Sequence, residues 1–462
     1  MENQKLEKDK EVQQKKIQTV STILKDGSIV EMVYDHKNKT TNFVVYKDGE
    51  LDVKKEIELE NITLVPYYPH SGLLRNKVVL FPEKAVEFGD EKELIGEIKT
   101  FIHKYLDVSE FFEDMVPYYV LFSWIYDCFN ELPYLRALGD YGSGKTRFLQ
   151  VIGSVCYKPI FAGGATTTSP IFRILESVKG TLILDEADFR FSDTKSEIIK
   201  ILNNGFAKGF PVLRSEASSD GKWNVKTFDV FGPKIIATRE RFQDKALESR
   251  FLIEDMEKDE LRDDIPLNLP DSFWDEATQL RNKLLMWRFL NYGKKVLDNN
   301  DAADSTIKPR LNQIILPLLS IIKDEEVKNK LKALIIEYDK QITSDRGMDS
   351  DAQIFEAVLE LMKHYALSEI TVKAIADCHN KGPMDPKETL SYSKMGWSLR
   401  ERLKLKTERT RDGYVLLESN KPRIEMLKKK FGITPETESN EPITMDEIPV
   451  IEEEKPKQTK LV

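Results

Sequence analysis

The stretch GDYGSGKTRFL (Gly139–Leu149) carries the spacing G-x-x-x-x-G-K-T, and that spacing implies a chemistry. Gly139, Gly142 and Gly144, with Ser143 among them, let backbone N–H groups curl around phosphates, while the helix behind points its positive dipole end at the same place. On these mechanics Lys145 reaches the terminal phosphates and Thr146 offers its hydroxyl to Mg²⁺. The flanks that the motif needs are present, with a strand-like YLRAL before it and a helical KTRFLQVIGSV after it. About forty residues downstream, GTLILDEAD is an apolar strand ending in Asp185 and Glu186. An aspartate there holds the metal's water shell, and a glutamate beside it orients and polarises an attacking water. Paired carboxylates suit hydrolysis, whereas a small-molecule kinase has no need of the second. The expected cofactors are therefore ATP and Mg²⁺, with Thr146 and Asp185 on the metal and Glu186 on the water.

These residues need a scaffold. Between Leu132 and Met256 the strand-like runs YLRAL, KPIFAG, GTLILDE, GPKIIAT and RFLIEDM alternate with helical patterns. That alternation predicts an α/β fold with a mostly parallel, three-layer sheet, and KPIFAG supplies an extra strand between the two motifs. Upstream, alternation on both sides of two Asp-Gly turns predicts two hairpins. The segments thus expected are a charged, disordered arm (1–18), a small antiparallel β module (19–66), a helical bridge (67–131), the α/β core (132–258) and a helical lid (259–345). A winged-helix domain (346–432) and an acidic, disordered tail (433–462) complete the order. The winged helix is read from three helical runs followed by a hairpin around Asp412–Gly413, with Trp397 and Leu399 as core residues and Ser391 or Ser393 as the cap of the third helix.

Composition narrows the classes. The chain has 462 residues, 40 % hydrophobic and 32 % charged, with a net charge of −9, which suits several soluble domains. Any nucleic-acid contact must come from local basic patches. Three scattered cysteines and five histidines without ligand spacing argue against a disulfide framework or zinc ribbon and fit a reducing, cytoplasmic setting. The most apolar run, Met115–Phe129, is too short to span a bilayer and reads as a buried helix. No membrane partner is expected.

The letters DEAD invite a two-lobed helicase, but only helical patterns follow Met256, and no LSGGQ-like signature supports a transporter ATPase. The pattern instead resembles AAA+ ATPases, which combine an α/β core and a helical lid with a site completed by a neighbouring subunit. On that resemblance KIIATRE is the sensor-1 strand with Thr238 at its tip, although the families it matches commonly carry asparagine there. ALESRFLIEDM resembles the S-R-F segment of minichromosome-maintenance helicases, which implies that Arg250 reaches the adjacent subunit's nucleotide. Arg310 resembles the lid's sensor-2 arginine, with Arg281 and Arg288 as competitors for that role. Just before sensor 1, FPVLR and WNVKTF flank a polar turn with Lys222 at its tip. A hairpin in that place resembles the branch holding minichromosome-maintenance and superfamily-3 helicases, as carried by plasmids, phages and integrating elements. There it lines a ring's pore and touches phosphates of single-stranded DNA.

The winged helix is basic although the chain is acidic. Lys394, Arg400, Arg402, Lys404, Lys406, Arg409 and Arg411 fall within eighteen residues, a density that points to duplex DNA. The acidic tail is a candidate contact for a basic protein partner. The resulting expectation is a ring-forming homo-oligomer, a hexamer, that translocates on or unwinds DNA in the replication of a mobile element, plasmid or virus. Two other readings share these residues: an ATP-switched, DNA-binding initiator that never unwinds, and a protein-remodelling ATPase.

Overall fold

The computed structural model describes residues 15–185, 193–217, 223–242, 244–257, 261–294, 307, 309–347, 350–381, 389–411 and 413–431. Glu186, Lys222 and the acidic tail lie outside the described residues. The chain divides into two compact units, Met1–Asp339 and Lys340–Val462.

The first unit opens with seven short strands: β1 (Lys15–Gln18), β2 (Ser21–Ile23), β3 (Ile29–Asp35), β4 (Thr40–Lys47), β5 (Glu50–Lys54), β6 (Ile57–Glu58) and β7 (Ile62–Val65). They form an antiparallel β2-β3-β4-β5 sheet and a second sheet in the order β1-β7-β6. Asp48 and Gly49, both at positive φ, make the two-residue turn between β4 and β5, the turn whose twist matches that of the flanking strands. The polar lead is expected to be irregular through residue 18, yet its last four residues pair in parallel with β7.

This β module does not stand apart. Its apolar residues, among them Val30, Phe43 and Leu64, join one buried cluster with Ile160, Leu182, Ile236 and Phe251. The central strand β3 is buried on both faces and carries Glu31 inward. There the carboxylate accepts hydrogen bonds from Tyr157 Oη (2.6 Å) and Arg288 Nε (2.9 Å) and pairs with Lys158 Nζ (3.3 Å). Arg288 also pairs with Asp127 (3.0 Å). Burial pulls the Lys158 ammonium down to about 8, against the opposing pull of Glu31.

Next come the short α1 (Gly72–Arg75), then α2 (Glu91–Tyr105) and α3 (Glu110–Trp124). Helix α2 starts on an Asp90–Glu93 capping box and α3 on the Ser109 hydroxyl, the signature that lets a helix begin without orphaned donors. Most of α3 is buried, as its apolar run predicts.

The core is a five-stranded parallel sheet formed by β8 (Tyr134–Leu138), β9 (Ile160–Ala162), β10 (Leu182–Leu184), β13 (Lys234–Thr238) and β14 (Phe251–Asp255). The hairpin strands β11 (Val212–Ala217) and β12 (Trp223–Phe228) precede β13 in the chain and, among the described residues, pair only with each other. The sheet order is β14-β8-β13-β10-β9. The strand that separates the phosphate-loop strand β8 from the carboxylate strand β10 is thus β13, while β9, the KPIFAG strand, takes the edge. The sheet is laced by α4 (Lys145–Val155), α5 (Thr168–Val178), α6 (Asp193–Asn204) and α7 (Lys245–Glu248). Lys234, fully buried, donates to the carbonyls of Gly205 (3.2 Å), Val230 (2.9 Å) and Gly232 (2.8 Å). Gly205 leaves no room for anything larger, since a Cβ there would stand 2.3 Å from both Lys234 Nζ and the Val230 oxygen.

Helices α8 (Ser272–Asn291), α9 (Pro309–Ile321) and α10 (Glu325–Gly347) follow. The sequence pattern sets them in a lid, but α8 lies in a helical layer against α2, α3 and α4. Its Asn282 side chain accepts from Glu83 N (2.8 Å) and its Asn282 carbonyl from Val86 N (3.1 Å). Arg281 and Arg288, both buried, are tied to Phe81 and Ser154 carbonyls and to Glu31 and Asp127 respectively, so neither competes for a phosphate. Tyr338 of α10 accepts from Ile253 N (3.1 Å) and donates to Ile253 O (3.0 Å), which satisfies the free edge of β14.

The second unit holds α11 (Ser350–Met362), α12 (Val372–His379), α13 (Tyr392–Trp397), the antiparallel pair β15 (Thr407–Thr410) and β16 (Gly413–Leu416), and α14 (Lys421–Phe431). Thr371 bridges to Val415 as a third, one-residue strand. Phe355, Ile375, Leu399, Leu416 and Phe431 share its core. Among the described residues of the whole chain, no helix is long and apolar enough to cross a membrane.

Removing one member of a buried ion network leaves its partners charged and desolvated. Glu31→Ala is therefore expected to destabilise the first unit by roughly 3–5 kcal/mol, read as a lowered midpoint in urea denaturation.

Candidate active site

The carboxyl ends of β8, β10 and β13 meet at the loop between Leu138 and Lys145. Gly142 and Gly144 adopt left-handed backbone, φ 79° and 88°, which only glycine takes up at little cost and which turns the loop around its own amides. Ser143 Oγ donates to the Asp140 carbonyl (2.9 Å). Lys145 Nζ folds back onto the Gly139 carbonyl (2.6 Å) and that of Asp140, so its charge rests inside the loop. From the first turn of α4, the Thr146 hydroxyl donates to Asp185 Oδ2 (2.9 Å). Asp185 is fixed in turn at the end of β10, where its backbone N donates to Ala162 O (3.0 Å).

Thr238 ends β13 between these two strands. Its carbonyl accepts from Gly139 N (3.3 Å), which ties the strand tip to the first loop glycine. The side chain is 1 % exposed, and its hydroxyl has no hydrogen-bond partner among the described residues. Buried hydroxyls are nearly always paired, which makes this one a candidate ligand contact. Among the described residues no cluster of three or more His, Cys, Asp or Glu could hold a metal unaided. A hydroxyl and one carboxylate beside a glycine-rich loop fit Mg²⁺, which keeps most of its waters and takes few protein ligands when it comes with phosphates.

A neighbour that spacing alone does not reveal completes the loop. The guanidinium of Arg239, next after Thr238, lies 3.5 Å from the ring centroid of Tyr141. Tyr141 is 77 % exposed and projects from the loop itself. The sequence shows an arginine and a tyrosine about a hundred residues apart; only the neighbouring positions of β8 and β13 in the sheet bring them together.

Arg250 and Arg310 are elsewhere. Arg250 precedes β14, and its carbonyl accepts from Tyr134 N at the start of β8 (2.9 Å). A five-residue strand at about 3.3 Å per residue therefore separates it from the phosphate loop. It is 6 % exposed and turned inward, bonded to the Leu202 carbonyl (3.4 Å) and to Asn203 Oδ1. Its guanidinium sits 4.0 Å from the Phe206 ring centroid, and that of Arg310 sits 5.7 Å from the same ring. Desolvation, with Arg310 as a second cause, lowers the Arg250 pKa to about 10. The Nε atoms of both arginines are buried without a hydrogen-bond partner among the described residues. Arg310 thus stands with Arg250, at the opposite end of the sheet from Lys145.

In the second unit Lys394, Arg400, Arg402, Arg409 and Arg411 are all exposed, though not all are idle. Arg402 pairs with Asp351 at 2.7 Å, and Arg400 reaches Thr407 (3.4 Å) and the Tyr414 ring (5.6 Å). Of the two candidate caps for α13, Ser391 makes the bond. Leu399 is buried as expected, but Trp397 is 53 % exposed. Its place in the core is filled by Met395 and Leu399, because the α-helical face that holds Met395 carries Trp397 outward.

No known family description matches the sequence, and no curated protein is similar to it. Among solved structures, the A-form apo C-terminal region of NrS-1 shares 12 % identity over 84 % of this chain and 96 % of its own, with a TM-score of 0.33. The SCCmec type IV Cch active helicase shares 12 % over 90 % and 81 %, with a TM-score of 0.40. JCV helicase shares 12 % over 55 % and 62 %, with a TM-score of 0.22. At such scores these likenesses carry no weight for function, which rests on the site.

If the Thr238 hydroxyl serves a ligand rather than the fold, its removal leaves stability intact, because an unpaired buried hydroxyl costs about 1–3 kcal/mol. Thr238→Val is expected to hold or raise the melting temperature without nucleotide, as read by differential scanning calorimetry.

Proposed function

We propose that the chain is an Mg²⁺-dependent ATPase of the AAA+ kind that assembles as a ring, a hexamer, and translocates on or unwinds DNA. The observation that carries this reading is the Thr146–Asp185 pair beneath an unpartnered Thr238 hydroxyl, with β13 standing between the loop strand and the carboxylate strand. In a phosphate-transferring site Lys145 leaves its carbonyls for the terminal phosphates, and the loop amides take the remaining oxygens. Mg²⁺, when bound, neutralises charge on those oxygens. Thr146 and Asp185 orient its shell, Glu186 takes a proton from the attacking water, and Thr238 fixes that water or the leaving oxygen.

Arg250 and Arg310 sit too far from their own loop to serve it. The resemblance of ALESRF to the S-R-F segment supports a role toward a neighbour's nucleotide, where a cation contributes only once subunits assemble and Arg250 leaves its inward bonds. Single-stranded DNA would be gripped at the hairpin tip, through Lys222. The order of three helices, the Thr371–Val415 bridge and a hairpin supports a winged helix, which would hold duplex DNA through Lys394, Arg400, Arg409 and Arg411. Arg402, already paired with Asp351, contributes less. The inward anchoring of Arg250 on Asn203 favours one second reading, in which ATP governs assembly and no strand is separated.

Lys145→Ala is expected to abolish ATP hydrolysis, and Arg250→Ala to lower kcat by about 10³-fold with nucleotide binding retained. Mixing the two inactive variants should restore activity at hybrid interfaces, and failure to do so would refute the trans assignment. In strand displacement, Lys222→Ala should lose unwinding and keep ATPase. DNA-stimulated hydrolysis without any displacement in the unmodified protein would instead favour the assembly switch.

A further inference from the structure

We propose that the root of the β11–β12 hairpin is a slot for one base of single-stranded nucleic acid, a contact distinct from the lysine at the tip. The inference rests on the reading of the chain as a DNA motor. A cavity of about 500 Å³ lies where residues 208–211 enter the hairpin and residues 229–231 leave it, within the range of sites that hold small ligands, roughly 300–1000 Å³.

Its floor is aromatic. Tyr126 packs at 6.2 Å from Tyr157 and 5.7 Å from Phe231, centroid to centroid, with ring planes tilted by 51° and 45°. The floor is rigid, because both tyrosines are buried and Tyr157 is pinned to Glu31. Phe210, by contrast, is 63 % exposed and stands at the mouth. An aromatic ring left in water beside an aromatic floor is a stacking platform that any base can use, since every base has a π-face.

The rim supplies charge. Lys208 donates to the Asp127 carbonyl (2.7 Å) and lies 5.6 Å from the Phe231 ring, and the exposed Lys179 also lines the cavity. Of the two carboxylates in the lining, Asp127 is already paired with Arg288, while Asp229 accepts from Phe231 N (3.0 Å) and keeps its charge, with Glu176 accepting from Asp229 N beside it. The slot is therefore of mixed charge, so the aromatic stack carries the contact and the two lysines supply its salt dependence. Position agrees with chemistry. The described arm, six residues at about 3.3 Å per residue, spans about 20 Å from the root, so a strand that follows the hairpin runs several nucleotides along it before it meets the cavity.

The test uses the full chain and a single-stranded oligonucleotide carrying 2-aminopurine at successive positions, with nucleotide present. At one position the fluorescence should be quenched on binding. Phe210→Ala should abolish that quench and weaken strand binding roughly 5- to 150-fold, with DNA-independent ATPase and particle size unchanged. Phe210→Tyr should keep the quench. Lys179→Ala should reduce the slope of log affinity against log salt by about 1. Strand binding with a quench that Phe210→Ala leaves intact would overturn the slot and leave the motor standing. Phe210→Ala altering particle size without touching the quench would also overturn it, since the ring would then serve a subunit contact. No single-strand binding at all would overturn the slot together with the DNA reading.

Discussion

One hydrogen bond, from the Thr146 hydroxyl to the Asp185 carboxylate, is the contact on which the chemistry of this fold turns. It joins the first turn of a helix to the end of a strand, and it forms only if β10 and β8 are held two positions apart in a parallel sheet. That spacing is set by β13, which pairs with both of them and thereby puts Thr238 over the gap. In a parallel sheet all carboxyl ends open on one side, so strand order alone gathers the loop, the Asp185 carboxylate and the third polar group. The same order sends the segment before β14 to the other side, and Arg250 with it.

How much of this is legible in the sequence depends on how local each signal is. The loop, its strand and its helix occupy twenty-two consecutive residues, Tyr134–Val155, and the structure follows that pattern. The five core strands are also where the apolar runs put them, because buried parallel strands are continuous apolar segments. The identity of the intervening strand is not local. KPIFAG lies between the motifs in the chain and at the edge in the sheet, and nothing in its letters distinguishes the two. The Arg239–Tyr141 stack is invisible for the same reason.

The departures concern charge and boundaries. The resemblance offers Arg281 and Arg288 as competitors for the sensor-2 role, and nothing in the letters marks either arginine as buried. Burial converts them into ties between α8 and the rest of the first unit. Glu31 does the same for the β module, whose alternating pattern reads as an independent domain until its central strand is found covered on both faces. Trp397 errs in the other direction. An indole is core material on any hydrophobicity scale, yet Met395 and Leu399 occupy the inward face of the short helix and leave it outside.

Lys234 has a meaning beyond stability. Its three carbonyl partners lie on both sides of the hairpin excursion, Gly205 before it and Val230 and Gly232 after it. The excursion is therefore closed at its base by one side chain, and the sheet does not register its length. Such a closure acts as a socket: the arms and tip can be lengthened, recoded or exchanged for those of another chain while β13, and the Thr238 it carries, stay in place. The hairpin is free to vary where the strand beneath it is not.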